Sequence, residues 1–167
     1  PNYCWKEIVF GYREMDEIEL AALSKEHGLK YLFGSHFVTF CCEPIKFIPY
    51  LTKRFLKAGG KFEQRKVTGF DEFKDAFLVI NCTGLGAKEL GDEKLYPIRG
   101  QISKVKAPWI YYCYIDDCDV SNYILPNAES VTLGGTHTVN DFNTNVSIPD
   151  SDFITKGNFW KFECIHN

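Results

Sequence analysis

The chain has 167 residues, with 19 basic and 22 acidic side chains and a net charge of -3. That length suffices for one domain with its own core. The charge balance argues against nucleic acid as a partner, and no stretch approaches the roughly eighteen apolar residues of a membrane-spanning helix. The seven cysteines (4, 41, 42, 82, 113, 118 and 164) are odd in number and form no CxxC. Scattered thiols in a reducing compartment account for them better than a zinc site or a disulfide framework. The chain starts at Pro1 and stays apolar through Phe159–Asn167. Both ends read as those of a piece of a longer chain or a shortened isoform.

In chain order, Trp5 to Tyr12 reads as a short strand ending at Gly11. Asp16 and Glu19 form a capping-box pattern, with Met15 placed to staple against Leu20. A helix over 17–26 then turns Ile18, Ala21, Ala22 and Leu23 inward, and Gly28 stops it. The second half of 29–42 predicts a strand after a break at Gly34-Ser35. His36, beside that break, reads as structural or solvent-exposed. Pro44 and Pro49 bracket the entry to a helix over about 48–58, with Ile48, Leu51, Phe55 and Leu56 on one face. Gly59-Gly60 ends it.

Residues 61–68 predict the next strand, and 70–77 a polar connection. Ala76 to Ile80 is an unbroken apolar run, the signature of a strand covered on both faces. It stops in Asn81-Cys82-Thr83-Gly84-Leu85-Gly86, small residues that let a ligand or another backbone come close. A plain turn after a buried strand is the other reading of that segment. Beyond a junction near 86–97, strand-like runs at 101–105, 109–115, 121–125 and 130–133 predict a mostly antiparallel sheet. In 149–167, Asp150 or Ser151 suits a helix cap, but Gly157 weakens the helix.

No GxGxxG, P-loop or GxSxG is present. Asp116, Asp117 and Asp119 read as a solvated turn rather than a calcium loop. Glu43 reads as a surface carboxylate at an element boundary, with a general base as the sharper alternative. Tyr123 offers a hydroxyl for a substrate carboxylate, against simple packing with a wet hydroxyl. Two function classes remain on these residues alone: a cofactor-binding oxidoreductase with nucleotide and substrate halves, and a non-catalytic binding or structural fragment.

A set of stretches in order then carries a resemblance: Gly59–Val67, Val79–Gly86, Pro97-Ile98-Arg99-Gly100-Gln101, Ala107-Pro108-Trp109, Tyr123-Ile124-Leu125-Pro126 and Val131–Thr136. Together they resemble the D-amino-acid oxidase family of FAD-dependent oxidases, and most its aspartate-specific members. The likeness covers nearly all of 1–150. It implies an α/β fold, in which a partial FAD-binding α/β layer joins a mostly antiparallel, sheet-rich substrate-binding domain. Residues 1–47 and 96–167 then belong to the substrate-binding domain, and 48–95 to the central part of the FAD-binding domain.

The resemblance implies FAD as cofactor, with Val67 beside the adenosine part and Cys82, Thr83, Gly84 and Gly86 along the dinucleotide. Tyr123 matches a tyrosine facing the substrate carboxylate. His137 stands where aspartate-specific members carry an arginine for the side-chain carboxylate. A second family arginine falls near Ile115 and Asp116, and no arginine occurs from 100 to 167. An arginine is always charged and binds through a fork, whereas histidine is not and does not. Acidic and neutral D-amino acids thus both stay open as substrates.

The implied reaction is oxidative deamination to a 2-oxo acid, ammonia and hydrogen peroxide, with molecular oxygen as co-substrate and no protein base. The family's amino-terminal GxGxxG and carboxyl-terminal arginine are not among these residues, so the chain alone is expected neither to retain FAD nor to turn over D-aspartate. The family implies a peroxisomal location. Ile165-His166-Asn167 is not a peroxisomal tripeptide, so a chain without that signal is expected in the cytoplasm. Monomer and homodimer both remain open.

Overall fold

A computed structural model describes residues 3–116 and 122–163, with side chains through 157. Asp117, Cys118 and Asp119 of the acidic turn, and the ending Ile165-His166-Asn167, lie outside the described residues.

The first half opens with an antiparallel pair, β1 (Phe10–Glu14) and β2 (Ser35–Val38), flanking helix α1 (Glu17–His27). The expected strand end at Gly11 is corrected. Gly11 lies inside β1 with φ +59, where the register slips between Phe10 and Arg13. One extra residue on β1 makes a bulge, and only glycine takes the left-handed conformation there without strain. The capping box of α1 forms as the sequence predicts. The Asp16 carboxylate accepts from Ile18 and Glu19 N–H, Glu19 accepts from Asp16 N–H, and Gly28 closes the helix in the left-handed region. The inward face agrees with expectation only at Leu23. Ile18, Ala21 and Ala22 are exposed, while Leu20, Leu23, Ser24 and His27 face inward at helical spacing.

Helix α2 spans Pro44–Lys57, so it begins earlier than predicted and Pro49 lies inside it. Pro44 takes the first turn, where a missing N–H costs nothing. The apolar face is real, yet Ile45 and Ile48 are 78% and 60% exposed. At its end the Phe55 ring lies 4.8 Å from that of Phe62, folding the chain back after Gly59-Gly60.

The strands expected at 61–68 and 76–80 are not formed. Phe77, Leu78 and Ile80 are exposed, and among the described residues no ladder pairs with either segment. A strand exists only where a neighbour takes its N–H and C=O groups. Two short 3-10 helices, at Phe70–Phe73 and Gly84–Leu90, give the only regular backbone described in 61–96.

The second half is ordered around an antiparallel sheet of β4 (Ile102–Val105), β7 (Val131–Gly134), β6 (Tyr123–Pro126) and β5 (Tyr114–Ile115), in that order. A second pair joins β3 (Ile98–Arg99) to β8 (Thr138–Val139). Most of the run expected at 109–115 is not strand, because Ala107–Ile110 forms a turn closed by Ile110 N–H on Ala107 C=O. Helix α3 (Ile148–Glu163) packs on β4 and β7. The core sits between them: Ala107, Ile110, Ile124, Val131, Leu133 and Ile154. Ile124 and Ile154 are fully buried, each worth about 1.5–3 kcal/mol.

The cap of α3 is neither Asp150 nor Ser151. Ser147 precedes the helix, and its hydroxyl accepts from Asp150 N–H at 3.3 Å. Gly157 does not break the helix. A Cβ there would lie 2.5 Å from Asn122 Oδ1, so glycine lets α3 approach the start of β6. The fold is thus a mixed helix and antiparallel-sheet chain, with an irregular segment between its two ordered parts.

Candidate functional site

The irregular segment encloses an open cleft of about 330 Å³. Val67 and Thr83, sixteen positions apart in sequence, both line it, with Phe70, Phe73, Leu78 and Val79 forming much of its apolar wall. Three local devices shape the cleft. The Asn81 carboxamide oxygen accepts from both the amide and the hydroxyl of Thr83, at 3.2 and 2.7 Å, so the turn is set by its own first residue. Lys66 Nζ meets Glu89 Oε2 at 3.0 Å, tying the segment of Val67 to the second 3-10 helix. Glu72 accepts from Thr68 N–H and Oγ1–H, from Gly69 N–H and from Arg65. These bonds, Thr68 foremost, hold its carboxyl below the usual range.

The predicted residues Cys82, Gly84 and Gly86 lie on the same turn, but not among the residues lining the cleft. Gly84 has φ +56 and open space where a Cβ would stand, whereas a Cβ on Gly86 would meet Thr83 Cβ at 3.6 Å. Phe70 and Phe73 were missed as cleft residues, whereas Asn81 opens the small-residue turn that the sequence marked. Its place two residues before a threonine is the spacing of an Asx turn.

Tyr123 lies on the antiparallel sheet, opposite Gly134. Its ring covers Gly134 and Gly135, and a Cβ at Gly134 would overlap that ring. The glycine pair is therefore the floor on which the tyrosine rests. His137 follows that floor by two residues, exposed between β7 and β8. Tyr123 and His137 thus share one end of the sheet, separate from the lining of the Val67–Thr83 cleft.

Sequence reasoning also missed a polar hub beneath this end. Arg99, with its side chain 12% exposed, donates to Asn143 O (2.7 Å), Asn145 O (2.9 Å), Gln101 Oε1 (2.9 Å) and Asp150 Oδ2 (2.8 Å). Buried Gln101 donates to Ser147 O and Ser151 Oγ and accepts from Ser147 N–H. Its backbone exchanges bonds with Thr136, next to His137. The hub fixes the loop from β8 to α3.

Glu43 is a tether in this fold. Its carboxylate accepts from Ala128 N–H at 3.0 Å, joining the start of α2 to the β6–β7 turn. Among the described residues, no three His, Cys, Asp or Glu side chains form a metal-binding group, and no helix is long and apolar enough to cross a membrane.

One part of the chain thus carries an apolar cleft beside a small-residue turn, and the other a sheet on which Tyr123 rests against Gly134-Gly135. The chain belongs to the DAO family, described as FAD dependent oxidoreductase, whose model matches residues 7–157. It is 38% identical to D-aspartate oxidase of Homo sapiens over 150 residues, covering 89% of this chain and 41% of that protein. It is 36% identical to D-amino acid oxidase of Dugesia ryukyuensis over 158 residues, covering 92% and 45%. With D-amino-acid oxidase of Streptomyces coelicolor the identity is 35% over 141 residues, covering 78% and 44%. The chain therefore spans less than half the length of these curated relatives.

Proposed function

We propose that this chain is the central portion of an FAD-dependent oxidase that deaminates D-amino acids, D-aspartate or related acidic ones first among them. The observation that carries the reading is the convergence of Val67 and Thr83 on one apolar cleft, in a chain of a family that uses FAD. The cleft volume falls at the low end of the range for small-molecule sites, about 300–1,000 Å³, which suits one end of a dinucleotide rather than all of it. In this reading Val67 packs on the adenosine part, and Thr83 offers its hydroxyl lone pairs. Cys82, Gly84 and Gly86 keep the turn small enough for the ligand to lie against it. Bound there, FAD would supply the two-electron acceptor that the oxidation of an amino acid requires, with oxygen as the final oxidant.

The rest of the work falls to the sheet. Tyr123, set by Gly134-Gly135, donates its hydroxyl to the substrate carboxylate, and His137 receives the side chain. Held so, the α-hydrogen has one direction to leave, which is the positioning part of catalysis. No side chain here is assigned as a base. The products are a 2-oxo acid, ammonia and hydrogen peroxide. Residues 48–95 serve the FAD-binding domain, and 1–47 with 96–167 the substrate-binding domain. A peroxisomal location for the whole protein belongs to the same reading, which a monomer and a homodimer fit equally. A neutral D-amino acid is the second reading of the substrate, favoured by His137, Ile115 and Asp116 standing where arginines would serve a carboxylate.

The test joins this chain to the segments that complete the relatives' length. Anaerobic mixing with D-aspartate is expected to bleach bound flavin, while the 167 residues alone give no bleaching. Thr83→Trp is expected to weaken FAD binding by at least about tenfold, or 1.4 kcal/mol. Absence of bleaching with D-aspartate and D-alanine alike would sink the reading. Faster turnover of D-alanine would select the neutral substrate.

A further inference from the structure

Two thiols that are distant in sequence meet at the surface. Cys41 Sγ lies 3.8 Å from Cys113 Sγ, across a separation of 72 residues. Both residues are exposed. Cys41 follows β2, and Cys113 immediately precedes β5, so the pair joins the edge of one sheet to the edge of another. β5 in turn pairs with Tyr123 through Ile115. A disulfide has its sulfurs about 2.05 Å apart, so an approach of about 1.8 Å closes the bond.

We propose that Cys41 and Cys113 form a peroxide-responsive disulfide site that clamps the β1–β2 pair to the β5 edge of the tyrosine-bearing sheet. The oxidant is hydrogen peroxide, the product released by the reaction proposed above. In the first step the Cys41 sulfur attacks the peroxide O–O bond, its thiol proton passes to the departing hydroxide, and a sulfenic acid and one water result. In the second, the Cys113 sulfur attacks the sulfenic sulfur, its proton leaves with the hydroxyl, and a second water departs. Two thiols and one peroxide thus yield one disulfide and two waters.

The order of the two steps follows from the environment. Partial burial, and then the neighbouring Cys41 thiol, push Cys113 up to about 11, so it is the poorer first nucleophile toward peroxide. Cys42 is adjacent in sequence and exposed, and serves as an internal control.

The full chain is treated with hydrogen peroxide under native conditions, alkylated, digested and mapped by mass spectrometry without reduction. Because peroxide is added, the result does not depend on whether the protein is an oxidase. The expected product is a crosslinked Cys41–Cys113 peptide lighter by two hydrogens than the sum of its parts, restored by dithiothreitol. Cys42→Ser is expected to keep the crosslink. Cys113→Ser is expected to lose it and leave Cys41 as a sulfenic acid trapped by dimedone. Folding of each variant is checked by circular dichroism, and the wild-type map alone decides the proposal should a variant not fold. Sulfinic or sulfonic acid at Cys41 without a crosslink, or a crosslink through Cys42 instead, would overturn it.

Discussion

Gly134 lacks a side chain because the Tyr123 ring occupies the place where one would stand. Replacing it with alanine forces the ring, the strand or both to move. Overpacking of this kind costs about 1–3 kcal/mol. Gly134→Ala is expected to lower the urea midpoint accordingly while leaving the far-ultraviolet spectrum unchanged. Arg99 is the complementary case, a charge held in place by what surrounds it. Its guanidinium engages Asp150, Gln101 and two backbone carbonyls. Arg99→Met leaves Asp150 and those carbonyls without their donor, a loss on the order of 3 kcal/mol. Arg99→Lys restores charge but not the fork, and is expected to recover less than half of the loss in the same unfolding assay. Neither role was legible beforehand. The Pro97–Gln101 motif marked the place, but a motif does not say that its arginine faces a loop more than forty residues away.

Among the elements, legibility followed how local the determining forces are. Helix α1 was readable because its start and stop are set within a few residues: Asp16, Glu19 and Gly28 need no distant partner. β6 and β7 were readable because a short turn joins them and each alternates toward a common core. The apolar run 76–80 was misread, since a strand is defined by a neighbour that periodicity cannot supply. The turn at 68–72, which borders the cleft, has its own pH dependence. Its Glu72 carboxyl sits below the ordinary value in the folded chain, so it contributes stability above the unfolded value of about 4.3. That contribution is lost as pH falls through the folded value. Amide exchange at Thr68 and Gly69 is therefore expected to quicken on acidification below about pH 4, in measurements referenced to Leu133 of the core. Glu72→Gln is expected to remove most of that dependence.

At the scale of the molecule, one part has a buried core and the other presents apolar side chains outward. Ile124, Leu133 and Ile154 are enclosed by sheet and helix, whereas Ile45, Ile48 and Leu78 are not. Of the cleft lining, the sequence pointed to Val67 and Thr83, whereas Gly84 and Gly86 lie on the turn outside that lining. The cleft wall of Phe70 and Phe73 depends on how the chain folds back and left no periodic trace. The Glu43 carboxylate on the Ala128 amide spans 85 positions of chain, whereas the β6–β7 hairpin on which it lands is closed locally by Asn127 and Ser130. Short-range closure comes early in folding and long-range closure late, so the clasp forms after its anchor. Removing it with Glu43→Ala is then expected to raise the unfolding rate while leaving the refolding rate nearly unchanged, as stopped-flow chevrons would register. One carboxylate acts as the latch of an assembled body, governing how long the fold lasts rather than how fast it arises.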